Sequence, residues 1–479
     1  MNANDGRDAK RPVDGKRPRG TPNRSVPGSP MTPPAKRDNP REKNPPQYQP
    51  DMSVLVHRVD LYDSGRTDAG HNHFSSSQNQ AMPPQSFIRP YSFEPPQSNY
   101  HPPPSAVTIS RVQSHSHAAA TQNSQWSQFP VVDRSVPNPY TNPKIKKYWV
   151  QRHRLFSRFD QGIQLDEQGW YSVTPEQIAD HVASRLAELA ASGNIVVLDA
   201  FCGCGGNSIA FAKQPNISVI AVDTDRTKLR KAAHNASLYN IPPSKLVFIE
   251  CNALFILEHC FRNGEFVLDQ PIATPEAAMA MMAAMPPPVA MESCQGYNVG
   301  GIDMLPRRID AVFLDPPWGG VDYKIFGKTG YDLARNMRIQ RPVQAKTNND
   351  NDNNNNDNGN GDNGLDGFFD SFQSTPRNKQ ERKAQFNSDV DETNCVNGSE
   401  LIALAAAATG TRWVIYDVPR NTNRVSLGQS ALAAGYRGNV KMEEHYLNGR
   451  LKTVTAYLGS DWSSLMENTS VSSTDTAQA

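Results

Sequence analysis

The sequence predicts an α/β domain, a mostly parallel, seven-stranded sheet that ends in an antiparallel hairpin, with a small helical extension ahead of it. Three observations point there. From Ile195 onward, short β-rich apolar runs alternate with helical patterns, as in a parallel sheet with crossover helices. A glycine-rich turn, with Gly203, Gly205 and Gly206, directly follows the first run. Near the end of the pattern Asn448-Gly449 parts two alternating runs, a strong hairpin signal.

Composition limits how much of the chain this domain occupies. The 479 residues include 38 prolines and 37% hydrophobic residues, with a mean hydropathy of -0.62, too little apolar surface for a wholly globular chain. Residues 1–143, rich in Pro, Ser and Gln and without sustained periodicity, are expected to form a disordered arm. The net charge of +1 hides basic clusters in that arm, Lys10-Arg11, Lys16-Arg17-Pro18-Arg19 and Lys36-Arg37. They are compatible with a nuclear localisation signal, a loose RNA-attracting segment or a solvated tail with no specific task. No run approaches the roughly 18 apolar residues of a membrane span, and the start lacks the apolar core of a secretory signal, so a soluble intracellular protein without a membrane partner is expected. The six cysteines include no CxxC pair and no histidine at zinc-finger spacing, so no metal site is expected.

Order is expected from about residue 144. From Lys147 to Phe159 aromatic and basic residues interleave; such a segment can set rings against a core or ligand while cations meet phosphate, or lie on the domain as an amphipathic helix. Thr174, Pro175 and Gln177 read as N-cap, first helical residue and capping-box partner. Ile178, Val182, Leu186 and Leu189 then share one face of a helix that runs to about Ala191. This extension spans 144–192, and the core spans 193–460.

The core opens with a strand from Ile195 to Asp199, the turn Ala200 to Asn207, and a helix from Ser208. A second strand, Val219 to Val222, ends at Asp223. A helix from Lys228 to Tyr239 leads to a third strand, Leu246 to Ile249, ending near Asn252. The fourth, Ile309 to Leu314, closes on Asp315-Pro316-Pro317-Trp318. Residues 271–306, rich in Ala, Met and Pro, and 341–398, with an Asn/Asp-rich tract, are expected to be disordered insertions. A helix from Glu400 to Ala408, a fifth strand from Trp413 to Tyr416 and the hairpin from Val440 to Leu458 complete the pattern; residues 461–479 read as a disordered tail. A parallel sheet finishing in an antiparallel hairpin matches the Rossmann-like fold of class I methyltransferases.

The strand ends carry the chemistry, because ligands of open α/β sheets bind at the carboxyl rim. A glycine-rich turn alone could bind a dinucleotide, S-adenosylmethionine or nothing. Asp199 before it sits where a cationic amino-acid moiety is held, and Asp223 can accept two ribose hydroxyls. Asn252 can meet an adenine amine with its carbonyl and a ring nitrogen with its amide. Pro316 and Pro317 lack the N–H a ladder needs, so the chain leaves the sheet with Asp315 and Trp318 at its rim. A carboxylate beside a flat ring suits a planar substrate with an exocyclic amine, a purine above all. Together these point to an amino-group methyltransferase rather than a dehydrogenase.

The run from Lys147 to Asp160, Gly169 to Glu176, Asp199 to Asn207, Pro316 to Tyr323, Pro419-Arg420-Asn421, and Leu447-Asn448 with Leu451-Lys452-Thr453 closely resembles the trimethylguanosine synthase family, the RNA cap hypermethylases. The likeness covers roughly Lys147 to Gly459 apart from the insertions. It implies methylation of guanine N2 on the 7-methylguanosine cap of small nuclear and nucleolar RNA, to the 2,2,7-trimethyl form, with S-adenosylmethionine as cofactor. It further implies a nuclear enzyme, monomeric, that meets ribonucleoprotein partners. By the same resemblance Phe156, Thr174, Asp199, Phe201, Gly203, Gly205, Asn207, Asp223, Asn252 and Asp315 surround the cofactor. Lys147, Trp318, Tyr323, Arg420, Asn421 and Lys452 meet the cap, and Asp315, Pro316 and Trp318 form the catalytic motif. An N7-methylated guanine is cationic, so stacking on Trp318 gains a cation–π component of roughly 0.5 to 2 kcal/mol.

The sequence departs from the family at two places. Asp315 stands where serine is frequent, as in many adenine-N6 methyltransferases, and Asn252 stands where aspartate is usual. The alternatives are therefore a broader amino-methyltransferase acting on adenine N6 or internal guanine N2, and a cap-binding scaffold without turnover. Asp315 reads first as the group that orients N2 and second as a base.

Overall fold

The computed structural model describes residues 52–61, 107–112, 133–134, 136–143, 145–190, 193–272, 274–341, 394–459 and 462. Its strands, in chain order, are β1 (Met52–Leu61), β2 (Val107–Val112), β3 (Ile195–Asp199), β4 (Ile217–Asp223), β5 (Leu246–Glu250), β6 (Glu292–Cys294), β7 (Tyr297–Gly300), β8 (Ala311–Leu314), β9 (Trp413–Pro419), β10 (Gly438–Leu447) and β11 (Arg450–Leu458). They form one sheet in the order β2-β1-β10-β11-β9-β8-β3-β4-β5-β7-β6. Its middle seven, numbered as they occur within the core, run 3-2-1-4-5-7-6, with the last strand antiparallel to its neighbours. This is the class I methyltransferase arrangement.

The longer helices are α1 (Glu176–Leu189), α2 (Gly206–Lys213), α3 (Arg226–Leu238), α4 (Pro275–Ala284), α5 (Gly398–Thr409) and α6 (Arg424–Ala433). They cover both faces, so the central strands are largely buried, with Val197 and Ile415 on one face and Val312 and Tyr416 on the other at 0% exposure. Asn448 and Gly449 take φ of 51° and 69°, the left-handed pair that a two-residue hairpin turn requires.

Several expectations are corrected. The sheet has eleven strands, not seven, among the described residues. Part of the supposedly disordered arm, residues 1–143, forms β1 and β2: β1 lies parallel to β10, and β2 parallel to β1. The run Val54-Leu55-Val56-His57-Arg58-Val59-Asp60-Leu61 is β-rich, and its Pro-rich surroundings hid it. The basic clusters lie outside the described residues. The 271–306 insertion contains α4, capped by the Thr274 hydroxyl, and β6–β7, whose Tyr297 and Val299 alternate into the core beside β5. Within 341–398, Cys395–Asn397 pairs antiparallel with Arg338–Gln340; the Asn/Asp-rich tract lies outside the described residues. In the tail, Trp462 is fully buried on Tyr457, with ring centroids 4.8 Å apart.

The capping box expected at Thr174 is absent. Pro175 takes the cap position of α1 without a side-chain bond, and Thr174 turns elsewhere. The box forms at α5 instead, between Asn397 and Glu400.

Glu443 of β10 is the charged centre of the face under α1. It accepts from Arg185 Nε at 3.0 Å, Tyr457 Oη at 2.7 Å and the His181 ring at 2.8 Å, and these partners hold its carboxyl well below the usual range despite complete burial. Removing that charge leaves Arg185 with only the exposed Glu188, Nη1 to Oε2 3.5 Å. Glu443→Ala should therefore destabilise the domain by about 3 kcal/mol or more, read as a lower urea midpoint at unchanged slope; a loss below about 1 kcal/mol would show the network to be dispensable.

Candidate active site

Parallel strands deliver their carboxyl ends to one rim, and here β3, β4, β8 and β9 bring Asp199, Asp223, Asp315 and Asp417 there. The turn after β3 is shaped by two glycines in the left-handed region, Gly203 at φ 51° and Gly205 at φ 90°. A Cβ on Gly205 would meet Ala232 Cβ of α3 at 3.0 Å, so Gly205 lets the turn close onto that helix. A Cβ on Gly203 would meet nothing within 4 Å: that side of the turn is open. The Gly203 amide donates to Asp223 Oδ2 at 3.1 Å, and the Asp225 amide donates to Oδ1 at 2.9 Å, which aligns the second carboxylate with the turn.

Asp199 is fully buried. Its Oδ2 accepts from Ser208 Oγ at 2.5 Å, while Oδ1 has no hydrogen-bond partner. Burial pushes its carboxyl up to about 7, opposed by the Ser208 hydroxyl and the Phe201 amide and reinforced by the nearby negative Asp223. An orphaned carboxylate oxygen beside an open glycine turn, with Asp223 at the next strand end, fits S-adenosylmethionine, whose amino-acid end is cationic and whose ribose offers two hydroxyls.

Asp315 connects that turn to Trp318. Its Oδ2 accepts from Asn207 Nδ2 at 3.2 Å and from Thr174 Oγ1 at 3.4 Å. The hydroxyl expected to cap α1 thus serves the site. Burial raises the Asp315 carboxyl well above its ordinary range, and the neighbouring Asp417 and Asp199 add to the effect. Past the buried Pro316 and the exposed Pro317, Trp318 is half-buried and packs edge-on to Tyr323, centroids 5.9 Å apart at 87°. Its indole Nε1 is buried without a partner. Asn421 Nδ2 donates to the Tyr323 and Gly327 carbonyls at 2.9 and 2.8 Å, fixing the loop that carries Tyr323.

The cations expected to meet phosphate gather at this rim. Arg420 is exposed and donates to the Leu451 carbonyl at 3.4 Å, next to Lys452, and its charge acts on the Tyr323 phenol, as does Tyr148. Lys147 is exposed, with Nζ 4.6 Å from the Tyr148 ring centre. The extension therefore brings Lys147 and Tyr148 to the side of the site that carries Tyr323 and Arg420.

Two further residues expected at the cofactor also have a part in the fold. Asn252 Oδ1 accepts from the Leu254 amide at 2.8 Å and Nδ2 donates to the Gln340 carbonyl at 3.4 Å, so its side chain caps the following helical turn. Phe156 is 2% exposed, packed near Tyr239 and Gly206 as part of the core. Asp417 was not anticipated, because the fifth strand was expected to end at Tyr416; Asp417-Val418-Pro419 repeats, one residue longer, the carboxylate-then-proline ending of Asp315-Pro316.

The family model for RNA cap guanine-N2 methyltransferases matches residues 194–347. The trimethylguanosine synthase of Schizosaccharomyces pombe is 33% identical over 212 residues, 44% of this chain and 69% of that protein. The chain belongs to the trimethylguanosine synthase family. A second relative, the trimethylguanosine synthase of Saccharomyces cerevisiae, is 39% identical over 104 residues, 22% of this chain and 32% of that one. Among solved structures, magnesium protoporphyrin IX methyltransferase from Synechocystis with bound S-adenosylhomocysteine is 12% identical, with a TM-score of 0.29 over 66% of this chain and 99% of that one. The fold assignment rests on the strand order itself. This family member is an enzyme, an S-adenosylmethionine-dependent methyltransferase whose substrate is RNA.

Because Asp199 binds its proton more tightly folded than unfolded, its contribution to stability is complete below 3.8 and is lost as pH rises to about 7. In the cofactor-free protein, Asp199→Asn should flatten the decline in melting temperature between about pH 5 and pH 7. It should also abolish cofactor binding. An unchanged slope would show that Asp199 is ionised throughout.

Proposed function

We propose that this chain methylates N2 of the guanine in 7-methylguanosine-capped RNA, twice, to give the 2,2,7-trimethyl cap, and that its substrates are small nuclear and nucleolar RNAs met in the nucleus. The observation that carries the reading is the pairing of Asp315 with Trp318 across Pro316-Pro317, a half-buried acceptor beside a half-buried indole, with Arg420 and Lys147 near the same rim. A cationic guanine stacked on Trp318 and braced by Tyr323 leaves its phosphates toward Arg420, Lys147 and Lys452. Prior N7 methylation then becomes a requirement, because neutral guanine loses the cation–π component.

In this reading Asp199, Asp223 and the turn with Phe201, Gly203, Gly205 and Asn207 hold S-adenosylmethionine. When bound, the cofactor supplies a methyl group on a sulfonium. Asp315 accepts a hydrogen bond from N2–H, which fixes the amine and aims its lone pair out of the guanine plane. Thr174 and Asn207 hold the Asp315 carboxylate in turn.

Purified protein with radiolabelled S-adenosylmethionine should methylate 7-methyl-GTP at least about tenfold faster than GTP, as expected if the cation–π component is worth more than about 1.4 kcal/mol in the transition state. Equal rates, or label on adenine N6 when 7-methylguanosine-capped RNA is the substrate, would sink the reading, and mass analysis of the nucleoside counts the methyl groups. Trp318→Ala should remove most cap affinity and leave cofactor affinity intact, while Asp223→Ala should do the reverse. Cofactor binding that collapses in Trp318→Ala would make Trp318 a core residue.

A further inference from the structure

Asp417 lies beside Asp315 as a matter of register. Leu314 and Tyr416 are paired across the parallel strands β8 and β9, so Asp315 and Asp417 occupy the next step. Residues in register on parallel strands project to one face, with backbones about 4.8 Å apart. Asp417 is 2% exposed; its Oδ1 accepts from Thr453 Oγ1 at 2.7 Å and Thr455 Oγ1 at 2.8 Å, and burial pushes its carboxyl up to about 7. Asp199 of β3 adds a third carboxylate on the Asp315 side. Behind Thr455 stand His445, 3.0 Å from its hydroxyl, and Glu443, whose charge is met by Arg185 and His181. Among the described residues no cation forms an ion pair with Asp315 or Asp417. Two carboxylates in this position do not both ionise readily.

We propose that Asp315 and Asp417 hold one proton between them, and that Asp417 is the positioning residue that fits Asp315 to receive the proton lost from the methylated amine. The proposal rests on the reading that Asp315 faces that amine. A cation entering the site beside Asp315 expels the shared proton and leaves both carboxylates ionised. As the N2–C bond forms and the S–C bond breaks, the positive charge passes from sulfur to N2. The N–H electron pair then stays on N2, and its proton goes to the Asp315 carboxylate, because the negative Asp417 raises the proton affinity of its neighbour. The thioether leaves neutral, and Asp315 later returns the proton to solvent.

The test is calorimetric titration of the full chain near pH 7.5 in two buffers of different ionisation enthalpy. S-adenosylmethionine should release about one proton from the wild type, and S-adenosylhomocysteine, which lacks the positive sulfur, roughly fivefold less. In Asp417→Asn the release with S-adenosylmethionine should fall by roughly fivefold, since the neighbouring charge that helps to hold a proton on Asp315 is then gone. The acid limb of kcat/KM should also move down by about one pH unit or more. Thr453→Val, which removes one donor from Asp417, should move the limb the other way; a misplaced side chain would not give opposite shifts. No release in the wild type, undiminished release in Asp417→Asn, or a limb that stays put or falls in Thr453→Val would overturn the proposal. Should Asp417→Asn fail to fold, Thr453→Val decides. A wild type that transfers no methyl to 7-methyl-GTP would refute the parent reading, while proton release would still judge the pair.

Discussion

Pro316 and Pro317 cannot donate to a ladder, and the site depends on that constraint. Strand β8 lies in the middle of the sheet with neighbours on both sides, so any residue able to keep pairing would lengthen it and carry Asp315 into the interior of the ladder. The prolines end it one step past the residue paired with Asp199, while β9 runs on through Asp417 to Pro419. The same break turns Trp318 out over the rim, and the glycine at position 319, with φ of 82°, allows the turn that brings Tyr323 edge-on to the indole. One interruption in hydrogen bonding therefore sets both the acceptor and the plate.

What surrounds Asp315 is costly in isolation. Asp199, Asp315 and Asp417 are carboxylates withdrawn from water on one face, and burial raises the proton affinity of each. Farther along that face, Glu443 shows the opposite solution, complete burial with the charge kept, because Arg185 and His181 answer it. On this face the sheet thus holds Glu443 by matching it and three carboxylates by leaving them short of positive charge. A deficit of this kind suits a site built to admit a cation.

The central seven strands were legible because each obeys a local rule. Apolar runs end on Asp199, Asp223 and Asp315, and Asn448-Gly449 admits few conformations other than a tight turn. The flanking strands were not, since β1 and β7 are short apolar alternations inside Pro-rich or Ala/Met-rich stretches, and composition averaged over a long window erases them. At the site, the glycine turn and the Pro-Pro break read correctly from spacing. The Thr174 cap did not, because that hydroxyl can bond either its own backbone or a distant group, and only tertiary context decides between them. Asp417 was hidden for a different reason: its importance lies in the register between two strands far apart in sequence.

That β1 pairs in parallel with β10 has a consequence for how the molecule is made. On a ribosome, Met52–Leu61 emerges long before Gly438–Leu447, so the early strand waits for β10 while the core strands between them are made. The central sheet can assemble in the meantime from strands that follow one another closely, and the edge of the hairpin is sealed last. Closing so long a loop adds little to the entropic cost, which grows only logarithmically with length, but it delays the event. Until then β10 presents an open edge, to which β1 of a second chain is as well matched as its own.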